Sequence, residues 1–408
     1  MHSDNHRDPH QYPKLRALEI LTVWQGDQRL LLIRDPLGLS EKQMLVSLAI
    51  APLLGLMDGE HNLDEMTRLA ASALDQPPAR EQLVRLVDKL DELVMLENER
   101  YEAVYQSTLD DFRHAAYRDP MLAGVNYPGE QCQCQEKFDC YLAEVEFSRP
   151  EFEPRGLISP HIDYERGWKV YASVWAAAKS AAERADLAII FGTDHFGGVE
   201  PITLTNQSYS TPYGVLPTAR EWVEQAADVL KDQAPFKGEL RHRSEHSIEL
   251  ASVWLHHMRK GKPIKVIPIL CSDLPGIESG KNGASESIEA FVQVLRKALD
   301  TERTLVVAAA DLSHVGPAFG DPRFGRSGFE DIKQYDMQVM EHIERGNSNA
   351  FLRMIREDGN KSNICGASPI YLAMEALAPT QATRIAYQHC PADCNGTSIV
   401  TICGHLLP

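Results

Sequence analysis

Two kinds of apolar pattern alternate from about residue 155 to the end of the chain. Short runs of aliphatic and β-branched residues are separated by longer stretches with helical spacing, and the clearest short runs are 155–159, 187–192, 264–270 and 304–310. Such alternation is typical of βαβ units. It predicts an α/β fold with a central, mainly parallel sheet covered by helices. Two later runs, 383–390 and 397–404, predict strands that are antiparallel at an edge.

The first hundred residues carry a different pattern, which predicts a small α+β domain. Two apolar runs on either side of Gly26 and Asp27 predict a hairpin. Ser40–Gln43 and Asn62–Glu65 each match a capping box, and each predicts a helix after it. Apolar residues at helical spacing over 83–94 predict a further helix.

The stretch that follows, residues 101–150, has mixed charge and no clear periodicity. We interpret it as a connector that packs on the domain after it. The predicted organisation is therefore a small domain at 1–100, this connector at 101–150 and an α/β domain at 151–408.

Charge and composition narrow the classes of function. The 408-residue chain has a net charge of −17, whereas surfaces that bind nucleic acids or anionic membranes need clustered Lys and Arg. We therefore expect protein or small-molecule partners. The sequence has no apolar stretch of the length that a membrane span needs, and it starts with a polar segment, which predicts a cytoplasmic protein. Its eight cysteines are too few for a disulfide scaffold.

Candidate chemistry lies where the predicted strands end. One strand ends at His161, a second ends at Asp194 and His195, and a third ends at Asp311 with His314 just beyond. In open α/β sheets the ligand cleft lies outside the carboxyl ends of the strands. We therefore expect these side chains to lie together in one cleft.

Two further polar residues precede predicted helices. His246 lies in SEHSIEL and Cys365 lies in NICGASPIY. The start of a helix favours a thiolate over a thiol, so Cys365 is a candidate ligand. Imidazole and thiolate ligands suit iron, zinc or copper much better than magnesium or calcium. The combination predicts a transition-metal site.

Five segments of the sequence resemble the Memo family, the middle component of the AmmeMemoRadiSam set. The segments are SPHIDY, GTDH, EHSIEL, AADLSHVG and ICGASPIY, and HAAYRDPMLAGVNYP is similar to the family's N-terminal segment. The resemblance covers roughly residues 112–407. It implies a fold like that of the class III extradiol dioxygenases, which are non-haem iron enzymes with two histidine ligands and one acidic ligand.

This resemblance also implies a ligand set, a cofactor and partners. His161 and His195 take the histidine positions, and Cys365 stands where the dioxygenases have the acid. The implied metal is Fe²⁺, with copper or zinc as alternatives, and the implied partners are a radical SAM protein and an AMMECR-like protein. Since a thiolate changes redox potential and metal preference, ring cleavage does not transfer with the fold.

Four more residues are candidate acid/base or supporting groups. Asp311, His314 and His246 follow from the motifs, and Asp194 stands in GTDH where a small residue usually precedes the family's histidine. We expect Asp194 to orient a ligand imidazole, with a role as a further metal ligand as the lesser alternative. The N-terminal segment resembles a PqqD-like winged helix, and its excess of acidic residues favours docking of a peptide or protein over DNA.

Three functions remain open from the sequence. The first is a metal-dependent redox protein that acts on oxygen or a small organic substrate. The second is a hydrolase or transferase with Cys365 as nucleophile and His195 or His314 as its base. The third is a binding module for a peptide or protein. The number of histidines favours the metal, because a nucleophile needs only one base.

The other cysteines and histidines are expected to have ordinary roles. A loop is predicted around Cys132, Cys134 and Cys140 and around Cys390 and Cys394, with a second metal or a redox pair as the lesser alternative. Residues predicted to lie in the core or outside any site are Cys271, Cys403, His242, His256, His257 and His405.

Overall fold

The structure is a computed structural model. It describes residues 8–26, 28–40, 42–73, 79–147, 150–198, 200–274, 283–321, 326–378 and 381–408. The chain divides into two compact units, Met1–His114 and Ala115–Pro408. None of the helices in these ranges is both long enough and apolar enough to cross a membrane.

The first unit contains a three-stranded antiparallel sheet and four helices. The sheet has the order β1-β2-β3, with β1 at Glu19–Gln25, β2 at Gln28–Arg34 and β3 at Met44–Ser47. The helices are α1 (Ala51–Gly55), α2 (Leu63–Ala73), α3 (Arg80–Glu92) and α4 (Glu99–His114). Ile33, Met66 and Leu90 are fully buried in its core. The likeness to a winged helix stays a prediction.

The local predictions for this unit are confirmed in part. The hairpin forms, although Asp27 lies outside the described residues. The second capping box is present, because the backbone N–H of Glu65 donates to the Asn62 side chain at 2.9 Å. The helix expected after Ser40 is wrong at its start, since Met44–Ser47 pairs with β2 as a strand. Glu41, in the first capping box, lies outside the described residues.

The second unit is built on an eight-stranded sheet. Its four central strands are parallel, in the order β4-β10-β5-β9. They are β4 (Gly156–Ser159), β5 (Leu187–Thr193), β9 (Lys265–Cys271) and β10 (Thr304–Ala309). Their side chains are almost all buried, as expected for strands covered on both faces. The predicted α/β fold with a mainly parallel sheet is confirmed.

Antiparallel strands complete the sheet on both sides. On one side, β6 (Ile202–Leu204) pairs with β9. On the other, β13 (Ile399–Leu407) pairs with β4, β12 (Thr383–Pro391) and β11 (His314–Val315). The two late strands are thus antiparallel, as the sequence predicts. A separate hairpin joins β7 (Tyr209–Thr211) and β8 (Gly214–Leu216).

The helices of the second unit cover this sheet. They are α5 (Gln131–Ala143), α6 (Tyr164–Ala177), α7 (Lys179–Arg184), α8 (Arg220–Val229), α9 (Arg241–Ser244), α10 (Ser247–Met258), α11 (Gly283–Thr301), α12 (Arg326–Glu344), α13 (Ser348–Glu357) and α14 (Ala367–Leu377).

The stretch 101–150 differs from the expectation of an aperiodic connector. It contains most of α4 and all of α5. In α5 the fully buried side chains are Cys134 and Phe138, four residues apart. Two buried positions are too few to give the apolar pattern of the sequence a helical period, so the sequence did not indicate this helix.

Candidate metal centre

The carboxyl ends of three parallel strands carry the site. His161, His195 and Asp311 each lie two residues beyond the end of a strand, after β4, β5 and β10 respectively. Because these strands are neighbours in the sheet, their ends meet at one edge. The residues converge there as expected: the His161 ring lies next to that of His195, and the His161 backbone N–H donates to Asp311.

Two glycines let the helices approach these strand ends. A Cβ at Gly192 would lie 2.5 Å from the Ser247 hydroxyl oxygen, at the start of α10. A Cβ at Gly366 would lie 2.5 Å from the Asp311 carbonyl oxygen, just before α14. Both distances are much shorter than ordinary contacts. The absence of side chains therefore brings His246 and Cys365 to the strand ends.

Three imidazoles form a compact cluster at this edge. One ligand nitrogen from each of His161, His195 and His246 lies within 4.8 Å of the other two. The His195 and His246 rings are stacked, with centroids 4.8 Å apart, and the His161 ring is perpendicular to both. Within the described residues this is the cluster of His, Cys, Asp and Glu that could hold a metal ion. His246, predicted as an acid/base group, is thus placed among the candidate ligands.

The His161 ring is held on one side by backbone and faces Cys365 on the other. Its Nδ1 lies 2.9 Å from the carbonyl oxygen of Ala309, so Nδ1 carries the proton and donates it. Its Nε2 lies 3.2 Å from the Cys365 sulfur. The Asp311 carboxylate accepts the His161 backbone N–H at 2.8 Å and lies 3.7 Å from Nε2. Asp311 therefore supports the loop that carries the ring.

The electrostatics of the site favour a cation. Burial lowers the pKa of His161, but the Asp311 and Cys365 charges outweigh it and raise this pKa to about 9. Burial also raises the pKa of the Cys365 thiol, but the His161 and His314 imidazoles lower it well below its usual value. The site thus holds thiolate and carboxylate charge next to imidazoles. A metal dication bound there would replace the protons that now balance this charge.

Glu245 is the residue that sequence reasoning missed. Its side chain is 1% exposed, and its Oε2 lies 3.0 Å from His195 Nδ1. Its Oε1 lies 3.2 Å from His246 Nδ1 and accepts the backbone N–H of His246 and Ser247. Burial raises the pKa of Glu245, but the two imidazoles hold it well below its usual range. The available signal was the acid that directly precedes the histidine in SEHSIEL.

Asp194 does not have the role expected from the sequence. Its buried carboxylate forms an ion pair with Arg241, at 2.8 Å, and accepts the Ser272 hydroxyl. Glu245 occupies the place beside the ligand imidazole that was predicted for Asp194. A Cβ at Gly198 would overlap the Arg241 guanidinium. The space that this glycine leaves is therefore taken by Arg241.

Cys365 and His314 lie close enough for the His314 imidazole to lower the pKa of the Cys365 thiol. Both are partly exposed. The Cys365 carbonyl accepts the Thr193 hydroxyl at 3.2 Å, which ties this loop to the end of β5. His314 Nδ1 donates to the Leu312 carbonyl at 3.0 Å, which leaves Nε2 as the basic nitrogen of its ring. The predicted roles of the two residues stay predictions.

The remaining cysteines and histidines behave mostly as expected. Cys271 and Cys403 are buried in the core. The stretch with Cys132, Cys134 and Cys140 is a helix, so the expected loop is wrong there. Cys390 is buried on β12, and Cys394 is exposed. His242, His256 and His257 each form a hydrogen bond, with Tyr209, Thr211 and Tyr213 respectively.

The fold and this site together define an α/β protein with a cluster of three histidines, which could hold a metal ion, at the carboxyl ends of parallel strands. A family model described as "Memo-like protein" matches residues 118–398, more than half of the chain. The chain therefore belongs to the Memo-like family, as its motifs predict.

Relatives of this family are similar over most of the chain. A MEMO1 family protein of Aquifex aeolicus is 26% identical over 366 residues, which cover 90% of this chain and 91% of that protein. A MEMO1 family protein of Thermus thermophilus is 26% identical over 312 residues, covering 76% and 88% respectively. The crystal structure of an uncharacterized protein from Escherichia coli K12 covers 62% of this chain and 99% of its own, with 13% identity and a TM-score of 0.36.

Proposed function

We propose that this protein binds one transition-metal ion at the imidazole cluster and uses it for redox chemistry on a small molecule. The observation that supports this most directly is the convergence of His161, His195 and His246, whose ligand nitrogens lie within 4.8 Å of one another. The Cys365 sulfur, 3.2 Å from His161 Nε2, is the fourth candidate ligand. This set of donors fits a transition metal.

Iron is the metal that we propose first, with copper and zinc as the alternatives. Imidazole nitrogen and thiolate sulfur bind all three, whereas magnesium and calcium prefer oxygen ligands. The nearby carboxylates of Asp311 and Glu245 hold backbone N–H groups and rings instead. When bound, iron would supply one-electron redox chemistry and positions for oxygen or an organic ligand.

In this proposal the surrounding residues hold the loops that carry the candidate ligands, and one of them carries a proton. Asp311 fixes the loop that carries His161. His314 is the proposed proton carrier, since its Nδ1 is tied to the Leu312 carbonyl and its Nε2 is basic. Asp194 and Arg241 fix the loop after β5. Asp311, Asp194 and Arg241 thus stabilise the ligand loops. His314 offers one ring nitrogen for proton transfer.

One observation favours a second function. The Cys365 sulfur lies 3.2 Å from the His161 imidazole, and the neighbouring imidazoles lower the pKa of its thiol; this arrangement also describes a cysteine nucleophile with its base. The sulfur also interacts with His195, so His195 stays one of the two bases that the sequence suggested. A hydrolase or transferase would need only one of the three clustered imidazoles. The cluster of three therefore favours the metal.

Metal analysis of protein purified without oxygen tests the proposed function. We expect about one equivalent of transition metal in the wild-type protein and a large loss in the double variant His161→Ala/His195→Ala. The matched control is His114→Ala/His389→Ala, which removes two exposed histidines outside the cluster. If the first double variant folds and keeps its full metal content, the proposed site is wrong.

A further inference from the structure

The Glu245 carboxylate lies between two imidazoles of the cluster. One oxygen is 3.0 Å from Nδ1 of His195, and the other is 3.2 Å from Nδ1 of His246. The two rings are nearly parallel, with 12° between their planes. One buried side chain thus faces the same nitrogen of two stacked rings.

Two rings of the cluster, those of His161 and His195, have a hydrogen-bond acceptor at Nδ1, and the Nδ1 of His246 has an ion-pair contact with Glu245. For His161 the acceptor is the carbonyl oxygen of Ala309, at 2.9 Å. A neutral imidazole that donates from Nδ1 has its lone pair on Nε2, and the acceptor therefore decides which nitrogen can bind a metal. Each ring would then present Nε2 to a common ion. For His195 this choice depends on its hydrogen bond to Glu245, and for His246 the charged group at Nδ1 is the other oxygen of the same carboxylate.

We propose that Glu245 is the positioning residue of this centre, and that its two carboxylate oxygens fix the tautomer and direction of His195 and His246 at the same time. The inference rests on the proposed function, since the rings are aligned for a metal. A glutamine in its place has one accepting oxygen, so it can satisfy only one of the two rings. Its NH₂ group would face the other ring as a second donor.

Glu245 is itself held from outside the cluster. The buried guanidinium of Arg118 donates to the Glu245 carbonyl at 2.8 Å and to the His242 carbonyl at 2.7 Å. The same guanidinium pairs with Glu249, which lies in the first turn of α10. Glu249 is fully buried, like Glu245, but its carboxylate binds Arg118, Tyr127 and two backbone N–H groups. Replacing Glu249 therefore loosens the support of Arg118 while it leaves the carboxylate that faces the rings in place.

The experiment compares Glu245→Gln with Glu249→Gln in the full chain. Cobalt(II) titration should show a loss of affinity of about 10- to 100-fold in Glu245→Gln, the usual effect of removing a partner of a ligand histidine. Glu249→Gln should lower thermal stability and should cost much less cobalt affinity than Glu245→Gln, because the carboxylate that faces the rings is kept. If Glu245→Gln binds cobalt as the wild type does, the proposal is overturned.

A second measurement separates positioning from general loosening. In the zinc-loaded protein, imidazole ¹⁵N NMR should show Nε2 coordination of three rings, and Glu245→Gln should change the signals of His195 or His246. The His161 signals should not change, because its acceptor is the Ala309 carbonyl. Equal changes in all three rings would contradict the proposal.

Glu245→Asp tests whether charge alone is sufficient, and it also carries the test if Glu245→Gln does not fold. Aspartate keeps the charge but is one methylene shorter, so it should not reach both rings. We expect it to bind cobalt about as weakly as Glu245→Gln. Wild-type affinity in Glu245→Asp would overturn the positioning role. A wild-type protein that binds neither cobalt nor zinc would instead refute the proposed function.

Discussion

The variant Gly366→Ala should separate Cys365 from the imidazole cluster. The new Cβ would lie 2.5 Å from the Asp311 carbonyl oxygen and 2.6 Å from the Ala310 Cβ. Ordinary contacts of this kind need about 3.5 Å, so the two loops must move apart by about 1 Å. The obstacle is backbone and a short side chain, which cannot turn away. The loop with Cys365 is therefore the part that moves.

This movement has two expected costs. The hydrogen bond from the Gly366 N–H to the Asp311 carbonyl, 3.1 Å long, should lengthen or break. Overpacking of this size typically lowers the free energy of unfolding by about 1–3 kcal/mol. The sulfur of Cys365 would also leave its place 3.2 Å from His161 Nε2. We expect a weaker metal–thiolate bond as well as a less stable fold.

Two assays measure these effects. Denaturant unfolding of the metal-free protein reports the stability, and the thiolate-to-cobalt absorption band of the loaded protein reports the sulfur ligand. The control is Gly129→Ala, whose Cβ would meet its nearest neighbour at an ordinary 3.8 Å. If Gly366→Ala keeps both the stability and the absorption band of the wild type, the reasoning about close approach is wrong.

Three further outcomes are expected. Bound metal should protect Cys365 from alkylation and its removal should expose a reactive thiolate, so equal alkylation rates with and without metal would support the nucleophile instead. A chain of residues 115–408 should still bind metal, because every candidate ligand lies in that range. Its metal content measures this, and a truncated chain that is insoluble would contradict the prediction. Tyr127→Phe removes a buried hydroxyl that donates to Glu249 at 2.5 Å, and it should lower the free energy of unfolding by about 1–3 kcal/mol. Thermal unfolding measures this effect, and an unchanged melting temperature would contradict the prediction.

The sequence predicted the strand ends well because they depend on local order along the chain. A buried apolar run followed by a histidine is visible without any tertiary information, as it is at His161 and His195. Parallel pairing then brings such ends to one edge of the sheet. The same reasoning placed Asp311, and the structure confirms that it lies against the His161 loop.

The sequence could not assign the partners of these residues, because those depend on how helices pack over the strand ends. Both Asp194 and Glu245 directly precede a histidine, and nothing local distinguishes them. In the fold, α10 starts above Gly192, and this places Glu245 beside the rings. Arg241 from α9 takes Asp194 as its partner instead. The choice between two similar acids was thus made by tertiary contacts.

The Arg241 side chain links two separate stretches of the chain, one with Asp194 and Gly198 and the other with Gly238 and Arg241 itself. Its guanidinium fills space that would otherwise belong to side chains at both Gly198 and Gly238. A larger residue at either glycine can therefore be accommodated only if the Arg241 guanidinium moves away or residue 241 becomes smaller, and either change would take the cation from Asp194. We expect viable changes here to arise as sets, in which a second substitution suppresses the defect of the first. The loop that carries His195 therefore depends on residues outside it, and substitutions in the two stretches should be coupled.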